Sequence, residues 1–253
     1  MKLIQISVLS VAAILAPLNL SYAQETLRVS SSKNNSPAAY LDAKTNEWKG
    51  FMPDALRLVT KGMNYNLEFA DANNQDRPNL FRDKLVDIAA TSYTSTPSRL
   101  VYSDFTISFG KGREVVLMSK SNKTKLITQA DFKGVTLYSS VGAGWNEAVT
   151  KVGGNLKTIV ETGLLVDLVK SDPTAIAIVT VAVATESVKK NPKLKMVTSY
   201  PAFQSSELSF AVQKGNTTLI EKLNAGIKKH LADGSLKKIV AKTGYDIPTK
   251  KSK

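Results

Sequence analysis

The segment Thr91–Arg99, "TSYTSTPSR", places a cluster of hydroxyl side chains and one guanidinium directly behind the apolar run "VDIAA" (Val86–Ala90). An arginine at the end of a buried strand can grip a carboxylate through two parallel hydrogen bonds. Nearby hydroxyls and backbone N–H groups can complete the cradle. Ser92, Thr94 and Arg99 are the candidates here; the plainer reading is a loop arginine paired with Asp104 or with solvent. A second place of this kind is "YSSVGAGWNE" (Tyr138–Glu147), where a strand gives way to a helix. Unpaired N–H groups at a helix start favour an anion, which brings in Ser140 and Gly142. Trp145 either faces the bound molecule or packs the helix.

Other chemistries lack the residues they need. The chain has no cysteine and one histidine, His230. The usual zinc sites and Ser-His-Asp or Cys-His hydrolysis therefore have no material, and there is no disulfide framework or lipid-attachment cysteine. His230 lies in the helical pattern "LIEKLNAGIKKHLADG" and is expected to be solvated.

The elements that must position these residues form two series. "LRVSSS" reads as a first strand, and "GFMPDALRLVTKGM" as a helix with Pro53 and Asp54 in its first turn. "YNLEFA", "NLFRDKL" and "VDIAAT" continue as strand, short helix and buried strand, the pattern of an α/β domain with a parallel sheet. A second α/β series starts at "REVVLMSK" (Arg113–Lys120) and runs through "VTLYSS", "LKTIVET" and "AIAIVT", each followed by a helical pattern. "SELSFAVQKG" reads as one final strand, and two helices joined at Asp233–Gly234 close the chain.

The most apolar mature stretch, "AIAIVTVAVA" (Ala175–Ala184), is too short for a bilayer, which needs about 20 residues. Its β-branched first half fits a strand buried on both faces of a parallel sheet, with a strand-to-helix junction near Thr180.

Composition narrows the class further. With 43% hydrophobic and 22% charged residues, the chain can bury a sizeable core. Its 34 Lys and Arg against 21 Asp and Glu give a net charge of +13. Such a balance suits nucleic acid, an anionic membrane or acidic ligands. The lysines are scattered over "SKSNKTK", "KKNPKLK" and "TKKSK" without interleaved aromatics, so no nucleic-acid partner is expected. The opening "MKLIQISVLSVAAILAPLNLSYAQE" reads as a signal peptide (residues 1–23) cleaved after Ala23. Export to the periplasm is the expected localisation.

The ordered set "GFMPDAL", "LVDIAATSYTSTPSR", "DFKGVTLYS", "VKKNPKLKMV", "FAVQKGN" and "LNAGIKKHLADGSLKKIVAKTG" resembles the bacterial periplasmic solute-binding proteins of family 3, the amino-acid-type receptors of ABC importers. The resemblance covers nearly the whole mature chain. It implies an α/β, two-lobed type II periplasmic binding fold with two crossover segments and a ligand cleft between the lobes. Lobe 1 would be residues 24–110 and 204–253, and lobe 2 residues 111–203, with the second crossing near 200–206. The implied partners are a small-molecule ligand and, transiently, an inner-membrane ABC permease. The protein would act as a monomer without cofactor.

Residue by residue, the resemblance makes Arg99 the clamp on the ligand's α-carboxylate, with Ser92 and Thr94 at the matching polar positions. Ser140, Val141 and Gly142 replace the family's Gly-Thr-Thr turn. Ala38 and Ala39 stand where an aromatic usually stacks on the ligand, leaving Tyr40 and Tyr93 as substitutes. Thr180 stands where the family has an aspartate for the ligand's ammonium, and Ala175 replaces another aspartate. A neutral hydroxyl cannot balance a buried ammonium, so Glu161, Asp104 or Glu186 would have to compensate. The implied function is a receptor for a carboxylate-bearing or amino-acid-like solute. The alternatives are an enzyme on the same scaffold, like the cyclohexadienyl dehydratases, and a sensor feeding a membrane receptor.

Overall fold

The computed structural model describes residues 24–247; the expected signal peptide lies outside them. In chain order, β1 (Glu25–Ser31) leads to a small ribbon of β2 (Asn34–Asn35), β3 (Ala39–Leu41) and β4 (Trp48–Lys49). Then come α1 (Phe51–Thr60), β5 (Tyr65–Asp71), α2 (Arg77–Arg82), β6 (Ile88–Ala89) and β7 (Ser103–Phe105). The second series is β8 (Gly110–Ser119), β9 (Thr136–Ser140), α3 (Asn146–Lys151), β10 (Asn155–Ile159), α4 (Thr162–Ser171), β11 (Ile176–Thr180), α5 (Val181–Lys190) and β12 (Leu194–Val197). β13 (Ser205–Leu208), β14 (Ala211–Gln213), α6 (Thr217–Ala232) and α7 (Ser235–Val240) complete the chain.

Two sheets result, each the centre of one lobe. The first has the order β5-β1-β6-β14-β7, and the second β10-β9-β11-β8-β12. β1 lies parallel between β5 and β6, so Val29 meets Phe69 on one side and Ile88 on the other. α6 returns to the first lobe and lies against α1, where Gly226 lets the helices approach: a Cβ there would come within 2.5 Å of the Val59 carbonyl oxygen.

The stretch "AIAIVTVAVA" divides at Thr180, as its pattern indicates. Ile176 and Ile178 enter a cluster with Phe132, Trp145 and Tyr200, whereas Ala177 and Val179 face Leu165 and Val169. Burial on both faces is the reason residues 176–179 of the strand are all apolar, before Thr180 ends it. The sheet around it is mixed, not all parallel: β11 runs parallel to β9 but antiparallel to β8. The periodicity of one strand says nothing about the direction of its neighbours.

Two further expectations need correction. "SELSFAVQKG" is two strands: β13 pairs with the start of β8, and β14 pairs with β6 and β7 in the other sheet. The chain therefore crosses between lobes within the alternating run that reads as one strand. His230 is buried, not solvated; its Nδ1 lies 2.8 Å from Ser235 Oγ and 3.1 Å from Asp233 Oδ2. It ties the end of α6 to the start of α7.

The crossings are held to one another. Ser205–Leu208 pairs antiparallel with Gly110–Arg113, and the C-terminal segment adds reciprocal bonds between Lys111 and Asp246. The fully buried Glu114 carboxylate accepts from the N–H groups of Phe203 (2.6 Å) and Gln204 (3.2 Å). Burial holds its pKa above the ordinary carboxylate value, against the pull of those two donors. No helix of the described residues is long and apolar enough to cross a membrane.

Candidate functional site

The loops that leave the carboxyl ends of the parallel strands converge between the lobes on a cavity of about 190 Å³. From lobe 1, Ser32 follows β1, Asn74 follows β5, and Ser92, Thr94 and Arg99 follow β6. From lobe 2, Ser140 ends β9, Glu161 follows β10, and Thr180 ends β11. Ligands of open α/β sheets bind at this edge, where successive loops splay apart and expose backbone donors.

Arg99 is buried in the wall, 6% exposed. One Nη donates to the Thr94 carbonyl at 2.6 Å, and the other crosses the cleft to the Gly142 carbonyl at 2.7 Å. Its guanidinium stacks on the Tyr93 ring, 3.6 Å from the centroid. Burial lowers its pKa, yet leaves a guanidinium charged at neutral pH. Ser92 Oγ, buried beside it, has no hydrogen-bond partner among the described residues. Ser140 Oγ and Thr162 Oγ1 meet at 3.1 Å on the facing lobe.

Several expected contacts fall elsewhere. Tyr93 is not on the cavity wall; it is buried beneath Arg99, its hydroxyl 2.6 Å from that of Tyr102. Tyr40 lies in β3, away from the lining. Gly142 contributes its carbonyl to Arg99 and does not itself line the cavity. Trp145 takes both roles left open for it: the indole N–H donates to Ser139 Oγ at 2.9 Å and the ring joins the lobe 2 core, while one edge reaches the cavity. Thr180 lines the cavity and caps α5, its Oγ accepting from the Val183 N–H at 3.5 Å.

Of the three acids that could offset the neutral Thr180, only Glu161 lines the cleft. Asp104 pairs with Lys214 at 2.6 Å on the outer edge of the first sheet. Glu186 accepts from Ser36 Oγ at 2.9 Å and pairs with Lys190 at the rim. Glu161 instead accepts from Asn34 Nδ2 of the opposite lobe at 2.7 Å.

Arg77 carries a role that sequence reasoning missed. It is fully buried and donates to Asn74 Oδ1 (2.8 Å), Ser32 Oγ (3.2 Å), Ser30 Oγ (3.3 Å) and the Ala72 carbonyl. Its guanidinium also stacks over Tyr93, at 4.9 Å from the centroid. One phenol ring thus carries two stacked cations, Arg77 and Arg99. Burial pulls Arg77 down to about 10. Nothing in "DRPNLFRD" marks it, because an arginine at a helix start ordinarily reads as solvent-facing.

Fold and cleft together define a two-lobed binding protein that encloses a small molecule between its sheets. The sequence profile of the bacterial extracellular solute-binding proteins, family 3, matches residues 27–244. The chain belongs to that family. Among curated relatives, the probable amino-acid ABC transporter-binding protein of Haemophilus influenzae is 23% identical over 224 residues, covering 88% of this chain and 86% of its own. The L-cystine-binding protein TcyA of Bacillus subtilis is 24% identical over 225 residues, covering 85% and 80% respectively. Among solved structures, an ancestral arginine-binding protein bound to glutamine superposes with a TM-score of 0.77 at 24% identity, covering 87% of this chain and 98% of that one. The ancestral amino acid-binding protein AncCDT-1, a precursor of cyclohexadienyl dehydratase, also gives 0.77, at 22% identity and 87% and 95% coverage.

Proposed function

We propose that this protein is the exported receptor of an ABC importer, with residues 1–23 removed, and that it captures a small carboxylate-bearing or amino-acid-like solute for delivery to a membrane permease. Residues 24–110 with 204–253 form one lobe and residues 111–203 the other. It works as a monomer and binds without turnover.

The observation that carries this reading is Arg99: a desolvated cation in the cleft wall with no carboxylate partner among the described residues. A buried charge without a counter-charge costs several kcal/mol. A ligand carboxylate supplies that charge and adds short charge-assisted bonds. The free hydroxyl of Ser92 stands beside it as a further donor. A solute touching both walls favours the closed arrangement by its extra contacts there. The named binding activities of the relatives, amino acids in each case, support the same ligand class.

A thermal-shift panel of amino acids and non-amino carboxylates finds the solute, and calorimetry on Arg99→Ala then tests the site. The variant is expected to lose binding. Unchanged affinity rejects Arg99 as the anchor.

A further inference from the structure

Four formally charged residues line the cleft: Lys33, Asp71, Arg99 and Glu161. Lys33 and Asp71 pair with each other at 3.2 Å and cancel. That leaves Arg99 on lobe 1 and Glu161 on lobe 2, and neither has an ionic partner among the described residues. The remaining charges of the cavity are therefore one cation and one anion, held on opposite walls.

The setting of Glu161 is unusual for its position. It is the N-cap of α4 with extended backbone dihedrals, where a short side chain such as aspartate ordinarily accepts from the second or third helical N–H. Its carboxylate makes no such bond, and reaches across to Asn34 Nδ2 at 2.7 Å. Asn34 comes this close because residue 163, in the first turn of α4, is glycine: a Cβ there would overlap the Asn34 amide. The amide satisfies one oxygen but leaves the negative charge unbalanced. Thr180, which ends the neighbouring strand on the same wall, carries no charge and turns its hydroxyl to the Val183 N–H.

We infer that Glu161 receives the cationic group of a zwitterionic solute, so that the solute spans from Arg99 on one lobe to Glu161 on the other. This deepens the carboxylate-receptor reading and rests on it. Glu161 sets specificity: the amino group is directed to the start of α4 and not to the end of β11. Closure then brings both poles of the ligand against opposite charges, and an acid without an amine leaves Glu161 uncompensated.

The test is isothermal titration of purified protein with matched probes: L-glutamine and 5-aminovalerate, and against them glutaramate and valerate, which lack the amine. At least one amino-bearing probe is expected to bind, with its amine-free counterpart weaker. Glu161→Gln should weaken the amino-bearing probe about 10- to 100-fold, the range for losing a charged hydrogen bond. Glu161→Asp should weaken it less, and Asp104→Asn, outside the cleft, should leave it unchanged. Melting curves for each variant confirm that the fold persists. If Arg99→Ala abolishes binding but Glu161→Gln does not, the receptor reading stands and the Glu161 inference fails. Amine-free acids binding as tightly as amino-bearing ones also overturns it. If no probe of either kind binds, both readings fall.

Discussion

The Arg99 guanidinium donates across the cleft to the carbonyl oxygen of Gly142 at 2.7 Å, so the residue proposed above to hold an acid also joins the two lobes. Its other arm holds the Thr94 carbonyl at 2.6 Å, and its flat face lies on Tyr93. The planar fork meets all three at once. A lysine ammonium is a single point donor on a flexible stem and cannot. Arg99→Lys should therefore weaken solute binding by about 2–3 kcal/mol, roughly 30- to 150-fold, although the charge is kept. Calorimetry reads this directly, and an affinity within a few-fold of wild type contradicts it.

Ser36 Oγ donates to Glu186 Oε2 at 2.9 Å, a further direct bond between lobes beside those of Arg99 and Asn34. Neither group lines the cavity, so the bond acts on closure and not on the solute. Ser36→Ala should weaken apparent affinity by about 0.5–1.5 kcal/mol and shift the small-angle scattering profile toward the open form. Unaltered affinity and scattering would show that this contact does not bias closure.

Gly226 sits in α6, where alanine alone would favour the helix by up to about 1 kcal/mol. The Val59 carbonyl oxygen, 2.5 Å from where a Cβ would lie, is backbone and cannot rotate away. Overpacking of this kind costs about 1–3 kcal/mol, so Gly226→Ala should lower the melting temperature. A rise in melting temperature would mean that α6 slides on α1 at little cost.

Acid should destabilise the fold through its depressed carboxylates. Asp42 is held down to about 2 by Lys49 and by the N–H groups of Lys44 and Thr45. The N–H groups of Thr128 and Ile127 lower Asp131, and the Thr174 hydroxyl and N–H lower Asp172. Such groups contribute stability that is complete above their unfolded pKa, about 4, and is lost as pH falls through the folded values. Glu114 acts in the opposite sense: its contribution is complete below the unfolded value and fades as pH rises through its raised folded pKa. The carboxylates held down outnumber it, so calorimetric melting temperatures should drop between about pH 4 and pH 2. A flat profile across that range would rule out these contacts as contributors.

Much of the fold was legible locally. The change from β-branched alternation to helical spacing at Thr180 marks a real boundary, and the glycine at Gly234 marks the break between α6 and α7. These features depend on residues within a few positions of one another. Partner choice was not legible in the same way. "SELSFAVQKG" has the period of a single strand, yet its halves bond to strands of different lobes. His230 reads as a surface position until Asp233 and Ser235 fold back over it.

The candidate site divides along the same line. Position behind a buried strand is enough to select Arg99, Ser92 and Thr94, because the strand's carboxyl end and its loop are adjacent in the chain. The resemblance, not position, offered Tyr93 as a substitute for the family's stacking aromatic, and the structure buries that ring against Arg77 and Arg99. Local sequence thus determined the elements, their junctions and the residues presented at the sheet edge, since propensity and periodicity act over a few residues. Only the tertiary structure decided which charges neutralise one another: Lys33 with Asp71, Asp104 with Lys214, and Arg99 and Glu161 left on opposite walls. Charge pairing depends on distance in space, and these partners lie from tens of residues to more than one hundred apart in the chain.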